Sequence, residues 1–236
     1  MINLTTLGYA FLGGLLPSLI WLYFLLKEDS RCPEPRHLIF FAFLAGMAVV
    51  PFAIAPERYA YATLAAGLPV IISWAVIEEV LKYAVAATFI LWRRAVDEAP
   101  DYVIYMLTVA LGFAALENAL FLITPLQSGN LSTVLETNNL RFLGSTLLHV
   151  VASSSIGFAF AFSYHLSRAL RVLFAAGGLI LAVILHAAFN MLIMQSSGSS
   201  MLIAALFLVW TMAIVFFAVF EIIKYFRYRN IAKNTC

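Results

Sequence analysis

Seven long apolar stretches dominate the chain and constrain its fold more than any other feature. About 20 predominantly apolar residues make one transmembrane helix, and 64% of the 236 residues are hydrophobic while only 11% are charged. Little sequence is left for other structure, so we predict one all-α, polytopic membrane domain over residues 1–236, a bundle of about seven transmembrane helices. The predicted spans are Leu4–Leu26, Leu38–Ile54, Leu68–Trp92, Tyr102–Leu126, Leu140–His165, Arg168–Gln195 and Ser200–Lys224.

The distribution of basic residues predicts how this bundle is oriented. Eleven of the 14 Lys and Arg residues fall on alternate connections, whereas Arg58 and Arg141 lie on the opposite side and Lys82 lies within a span. Cytoplasmic loops carry an excess of Lys and Arg, so we expect the N-terminus outside and the C-terminus in the cytoplasm. The eleven residues are Lys27, Arg31, Arg36, Arg93, Arg94, Arg168, Arg171, Lys224, Arg227, Arg229 and Lys233.

The connecting segments carry three further expectations. The first apolar run is too long for a signal peptide and has no Lys or Arg before Leu4, so it is expected to be a retained span. The polar segment Gln127–Asn139 is predicted to be an external loop. Cys32 and Cys236 are far apart in sequence, and we expect neither a disulfide nor a metal clip from them.

Ionisable side chains interrupt the apolar spans. A charge near the centre of a spanning helix costs roughly 2.5–3.5 kcal/mol on insertion scales, so such residues indicate a functional site. The residues concerned are Glu78, Glu79, Lys82, Glu117 and His149, together with His186, which shares a helical face with Asn190.

Four of these residues lie at one depth on four different spans. Glu78, Glu117, His149 and His186 are each about eight to ten residues from the external end of their span. A rise of 1.5 Å per residue places them roughly 12–15 Å below the external surface. Because the spans run in alternating directions, we expect these side chains to converge in a water-containing pocket beneath the outer leaflet.

Spacing within the helices separates the two adjacent glutamates. Glu78 and Lys82 are four residues apart and can pair on one face, while Glu79 is rotated by about 100°. We expect one carboxylate to act on water while the other is held by Lys82 or a neighbouring helix. His186 and Asn190 are also four residues apart and share a face.

These residue types allow hydrolysis of a carbonyl, and the residues alone leave alternatives open. A carboxylate can act as a general base, and a His with an Asn can stabilise an oxyanion. Zinc could instead be bound by residues from the set Glu78, Glu79, His149 and His186. A proton-coupled transporter, a zinc-dependent membrane lipid hydrolase, a catalytically silent scaffold and purely structural ion pairs are the other interpretations.

The ordered motifs resemble the PrsW family of intramembrane proteases. The matching motifs are Glu78-Glu79-x-x-Lys82, Gly112-Phe113-Ala114-Ala115-Leu116-Glu117-Asn118 leading to Phe121, then His149, then His186-x-x-x-Asn190. They span a core from about residue 74 to residue 190. The paired glutamates and the final motif are also similar to type II CAAX prenyl endopeptidases and bacteriocin-processing enzymes.

The resemblance implies endopeptidase activity on membrane-anchored proteins, such as regulatory cleavage of anti-sigma factors on their extracytoplasmic side. It implies that Glu78 activates water with help from His149, and that Glu79 is a supporting carboxylate. His186 and Asn190 would stabilise the oxyanion.

The resemblance also sets expectations for cofactors, partners and location. Lys82 and Glu117 would serve in ion pairing or positioning. We favour glutamate-activated water without a cofactor, because His186-x-x-x-Asn190 suits an oxyanion site better than a pair of metal ligands. Zinc is the alternative, and no His-Glu-x-x-His helix is present to decide between them. Prenylated substrates are not implied, because the CAAX enzymes have Arg one residue after Lys82 and Phe where this chain has Ser145. We expect a prokaryotic cytoplasmic membrane location, the bilayer and a membrane-anchored protein as partners, and no nucleic acid.

Overall fold

The computed structural model of the protein describes residues 3–28, 32–129, 131–194 and 199–229. Within these ranges the chain is helical and contains no strand. A π-helical turn, Arg141–Ser145, joins α5 to α6 into one continuous helix. The helices are α1 (Leu4–Glu28), α2 (Arg36–Thr63), α3 (Leu68–Phe89), α4 (Ala99–Ser128), α5 (Leu131–Leu140), α6 (Thr146–Phe162), α7 (Arg168–Met194) and α8 (Ser199–Arg229).

Six helical segments among the described residues are long and apolar enough to cross a membrane. Of the long helices, only α3 falls outside this set, because it carries three charged residues, Glu78, Glu79 and Lys82, near its middle. Its 22 residues are still sufficient to span a bilayer. The predicted all-α, polytopic membrane bundle is therefore confirmed. The six segments are Leu4–Lys27, Arg36–Thr63, Ala99–Ser128, Ser132–Phe162, Arg168–Met194 and Ser200–Phe226.

Two helix boundaries differ from the prediction. The second helix continues to Thr63 and includes Pro51 and Pro56, since a transmembrane helix tolerates proline where neighbouring groups satisfy the freed carbonyls. The predicted loop Gln127–Asn139 is wrong, because α4 runs to Ser128 and α5 covers most of the rest. The turn between them is at Gly129, whose φ of 68° is the left-handed conformation that commonly ends a helix.

The cysteine prediction is also wrong, because Cys32 is disulfide-bonded. A large separation in sequence does not by itself argue against a disulfide. The second cysteine, Cys236, lies outside the described residues, as do Arg31, Gln195 and Lys233. The orientation inferred from the basic residues stays a prediction.

Helix α4 occupies the centre of the bundle. Every residue from Asp101 to Ala115 is buried, and α4 packs against α1, α2 and α6. Its crossing with α2 depends on two glycines: a Cβ added to Gly46 would lie 2.0 Å from the Val109 carbonyl oxygen, and one added to Gly112 would lie 2.0 Å from the Phe43 carbonyl oxygen. Small residues allow such close approach of helices in a membrane.

Helix α3 lies between α2 and α7. On one side Ile77 and Leu81 pack against buried residues of α2 and α4. On the other side Ile71 and Ala75 pack against Ala187 of α7. Since α6 packs on both α4 and α7, helices α3, α4, α6 and α7 surround a common interior.

Candidate active site

Six ionisable side chains from these four helices meet in one buried group, here called the polar cluster. Glu79 and Lys82 are 0% exposed, and the most exposed member, Glu117, has a side-chain exposure of 18%. The structure thus brings together six of the seven residues that the sequence singled out. The polar cluster consists of Glu78, Glu79 and Lys82 on α3, Glu117 on α4, His149 on α6 and His186 on α7.

Glu79 is held by three donors. Its Oε1 lies 2.7 Å from Lys82 Nζ and 2.8 Å from His186 Nδ1. Its Oε2 accepts a hydrogen bond of 2.6 Å from Ser153 Oγ. Both carboxylate oxygens are therefore satisfied, which suits a supporting role better than a reaction with water.

Glu78 has a looser environment than its neighbour. Its Oε2 is 3.5 Å from Lys82 Nζ, and 3.9 Å from both His149 Nδ1 and His186 Nε2. The Lys82 ammonium is closer to Glu79 than to Glu78, which differs from the predicted pairing of residues four apart. The long lysine side chain reaches both carboxylates, so helical spacing alone does not select its closer partner.

His149 is held at both ring nitrogens. Its Nδ1 lies 2.8 Å from Lys82 Nζ, and its Nε2 lies 2.9 Å from Glu117 Oε2. An ammonium group can only donate hydrogen bonds, so Nδ1 is the acceptor and Nε2 carries the proton. The ring is 5.2 Å from that of His186, at an interplanar angle of 82°.

The distances between Glu78 and the two histidines are those of polar groups linked through a water molecule. A separation of 3.9 Å is too long for a direct hydrogen bond. Polar groups separated by more than about 3.5 Å are commonly linked by a water molecule. Glu78 Oε2 and His186 Nε2 can therefore share one water, whereas the His149 nitrogen that faces Glu78 already accepts from Lys82 Nζ.

The same three residues are a candidate metal site. Donor atoms of Glu78, His149 and His186 lie within 4.8 Å of one another, whereas Glu79, a candidate ligand by sequence, is not in this group. Two imidazoles and a carboxylate with an open fourth position are a known donor set for catalytic zinc.

The second nitrogen of each imidazole also fits a metal site. His186 Nδ1 contacts Glu79 and His149 Nε2 contacts Glu117, as carboxylates do behind metal-binding histidines. The donor set thus fits the ion. Lys82 Nζ, however, uses the His149 Nδ1 lone pair and would have to move before a metal could bind there.

Asn190 is the predicted site residue that the structure does not join to the polar cluster. It is half-buried on α7, one turn after His186. Its side chain makes no hydrogen bond to the other described residues. Its suggested part in oxyanion stabilisation stays a prediction.

Two residues of this region were missed by sequence reasoning. Ser153 was not among the predicted site residues, and Arg141 was counted as a charge on the external side. Instead, Ser153 donates to Glu79, and Arg141 Nη2 lies 2.6 Å from Glu117 Oε2 with a side-chain exposure of 16%. Ser153 lies four residues after His149 on the same helical face, which was an available signal. Arg141 lies eight residues before His149, and regular helical spacing gave no signal for it.

Comparison with known proteins identifies the relatives of this chain. The model of a family described as PrsW family intramembrane metalloprotease matches residues 34–220. A protein named Protease PrsW from Geobacillus kaustophilus (strain HTA426) is 31% identical over 153 residues, which cover 63% of this chain and 64% of that protein. The match thus spans slightly less than two thirds of that relative.

A second relative is matched over a longer region. Protease PrsW from Clostridioides difficile (strain 630) is 27% identical over 199 residues, which cover 78% of this chain and 79% of that protein. No solved structure matches the chain.

Proposed function

Because the chain belongs to the PrsW family, described as intramembrane metalloproteases, we propose that it is an endopeptidase that cleaves membrane-anchored proteins. One observation carries the proposal: Glu78 Oε2 lies 3.9 Å from a ring nitrogen of both His149 and His186, inside a bundle of apolar helices. Family membership also favours this function over the transporter and the lipid hydrolase.

The reaction begins with a water bound to Glu78. Glu78 removes a proton from this water, whose oxygen attacks the carbonyl carbon of the scissile peptide bond. His149 assists indirectly: its ring is fixed between Lys82 and Glu117 and holds the Lys82 ammonium beside Glu78. When the carbon–nitrogen bond breaks, Glu78 returns the proton to the leaving amine.

The opposite side of the site stabilises the charge that develops on the carbonyl oxygen. His186 donates from Nε2 when it is protonated, a state that the Glu79 carboxylate on Nδ1 favours. Asn190, one turn further along α7, supplies a second donor. Fixed donors of this kind are worth several kcal/mol in acyl transfer, about 3 for one donor.

Substrate and water reach the site from the side where Glu117 lies. Glu117 is more exposed than Glu78, and Glu79 and Lys82 are fully buried. With the predicted orientation this opening faces the outer leaflet of a prokaryotic cytoplasmic membrane. The substrate is a membrane-anchored protein cut near its extracytoplasmic side, and an anti-sigma factor fits this description.

Zinc is the second candidate for activation of water, and the donor set of Glu78, His149 and His186 favours it. A zinc ion bound there would lower the pKa of its water and polarise the carbonyl. Glu79 and Glu117 would hold the two imidazoles in place in this case too. We favour glutamate-activated water because Lys82 Nζ is bonded to His149 Nδ1.

Substitution of Glu78 by Gln tests the proposed function. The purified protein is incubated in detergent with single-span membrane proteins, and cleavage is followed by mass spectrometry. Loss of a general base reduces the rate by about 10²–10⁴-fold, so we expect near-complete loss in Glu78→Gln, His149→Ala and His186→Ala.

The matched control is Glu221→Gln, which removes a carboxylate paired with Lys224 on α8, outside the polar cluster. This variant should cleave like the wild type. Wild-type rates in Glu78→Gln would remove Glu78 from the mechanism. Proton-coupled flux without cleavage would support a transporter instead.

A further inference from the structure

The contact between Glu117 and Arg141 joins a buried arginine to the polar cluster. We propose that Arg141 is a positioning residue that acts through Glu117 to fix the orientation of His149. The proposal rests on the proposed function for its catalytic consequence, but the arrangement of the three side chains can be tested without it.

Arg141 is itself held by several groups. Its Nε donates to Asn118 Oδ1 at 2.5 Å, and its Nη2 contacts Glu117 Oε2 at 2.6 Å and Ser145 Oγ at 3.2 Å. The guanidinium also lies 3.8 Å from the ring centroid of Phe121. Because acceptors on two sides and an aromatic face constrain it, the planar guanidinium is a rigid support for Glu117.

Arg141 and His149 share one oxygen atom of Glu117. Oε2 is 2.6 Å from Arg141 Nη2 and 2.9 Å from His149 Nε2. The carboxylate therefore cannot rotate without breaking both contacts. Without Arg141, Glu117 would be a largely buried charge that lacks its strongest partner, which is costly, and the His149 ring would lose a fixed acceptor.

The π-helical turn explains how Arg141 reaches the site. In a regular α-helix eight residues correspond to about 800°, so Arg141 would point about 80° away from His149. Within the turn the Thr146 N–H donates to the Arg141 carbonyl. This hydrogen bond joins residues five apart, whereas those of an α-helix join residues four apart. The extra residue makes eight residues close to two full turns, and both side chains face Glu117. Single π turns often occur at functional sites.

The catalytic test compares Arg141→Ala, Arg141→Lys and Glu117→Gln with the wild type. Loss of a residue behind a catalytic histidine typically costs about 10–100-fold. We expect that loss in kcat for Arg141→Ala, with KM changed less than about threefold, and partial retention in Arg141→Lys. Added guanidinium ion should restore part of the kcat of Arg141→Ala.

A double-mutant cycle tests whether the effect passes through Glu117. The variant with both Arg141→Ala and Glu117→Gln should be no slower than the slower single variant, because both changes break one connection. Multiplied losses would overturn the proposal. Arg58→Ala, an exposed arginine of α2, is the control and should cleave normally.

A spectroscopic readout separates this proposal from the proposed function. The chain has only 4 histidines, so nitrogen-15 NMR of histidine-labelled protein can resolve His149, with its signals assigned by their loss in His149→Ala. The wild type and Arg58→Ala should show the Nε2–H tautomer alone. Arg141→Ala should shift and broaden the His149 Nε2 signal, because the Nε2–H loses its fixed acceptor, and Arg141→Lys should show the wild-type pattern.

Unchanged His149 signals in Arg141→Ala would overturn the inference even if the enzyme is fully active. Conversely, a wild type that cleaves no substrate would contradict the proposed function, whereas a changed His149 Nε2 signal in Arg141→Ala would still support the positioning of His149. If Arg141→Ala does not fold, the comparison of Arg141→Lys with Glu117→Gln provides the same test.

Discussion

Glu78 and Glu79 are adjacent in sequence, yet their carboxylates have different environments. Glu79 accepts from Lys82, His186 and Ser153 at 2.6–2.8 Å, while the shortest polar contact of Glu78 is 3.5 Å. The rotation of about 100° between neighbouring helical residues explains this difference. One side chain is aimed at the donors, and the other stays available for water.

At the residue scale we predict different effects for two adjacent serines. Ser153→Ala removes a donor from the fully buried Glu79 carboxylate, and an unsatisfied buried group costs about 1–3 kcal/mol. Ser154→Ala removes a buried hydroxyl that has no hydrogen-bond partner among the described residues, so it should be neutral or stabilising. The midpoint temperature of thermal unfolding in detergent gives the change in stability of each variant.

These two substitutions remove the same atom from adjacent buried positions, so each controls for the other. Cleavage should also fall in Ser153→Ala, because Glu79 orients His186. Equal destabilisation by both would show that the Ser153–Glu79 hydrogen bond contributes nothing measurable.

At the scale of helices, close backbone contacts determine how the elements assemble. At Gly46 and Gly112 the backbones of α2 and α4 are in direct contact, with no room for a side chain between them. Phe113, the residue after Gly112, then packs between α2 and α3, and Lys82 Nζ lies 4.3 Å from its ring centroid. The spacing of α2 and α4 is therefore connected to the position of Lys82.

We predict that Gly112→Ala destabilises the protein. The added methyl group would lie 2.0 Å from the Phe43 carbonyl oxygen, and overpacking of this kind costs about 1–3 kcal/mol. Gly177→Ala is the control, since a Cβ there meets no atom within 4 Å. It should be neutral or stabilising, because alanine is favoured over glycine in helices by about 0.5–1 kcal/mol.

Unfolding of both glycine variants in mixed detergent micelles gives the comparison. The cleavage rate should fall with stability in Gly112→Ala and remain unchanged in Gly177→Ala. A Gly112→Ala protein as stable as the wild type would mean that α2 and α4 can separate at little cost.

At the scale of the whole molecule, the site exists only when the helices are assembled. The candidate donors Glu78, His149 and His186 come from α3, α6 and α7, so neither a water nor a metal can be held by one helix alone. A ligand that binds only the folded state stabilises that state. Metal dependence should therefore be visible in stability as well as in activity.

We predict that removal of metal leaves the protein active. After treatment with phenanthroline and removal of the chelator, the cleavage rate and the unfolding temperature should be unchanged. Added zinc should raise neither. The opposite result would be a fall in both the cleavage rate and the unfolding temperature. If zinc restored both in the wild type, but did not raise the unfolding temperature of His186→Ala, zinc would be shown to activate the water.

Sequence reasoning predicted much of this site because helical geometry is regular. The 3.6-residue period and the 1.5 Å rise fix the face and height of each residue, which was enough to place Glu78, Glu117, His149 and His186 at one level. It failed where the helix was irregular or the chain unexpectedly helical. The π turn directs Arg141 inward, and α5 occupies the polar segment assigned to a loop.

The sequence alone determined that this is a helical membrane protein and which ionisable residues lie inside it, because apolar length and charge cost depend on composition. The tertiary structure alone decided which side chains contact each other. Lys82 is nearer to Glu79 than to Glu78, and Asn190 makes no hydrogen bond to the polar cluster among the described residues. Such choices depend on distances between helices, which are set by packing contacts such as Gly46 and Gly112 and have no local signature in sequence.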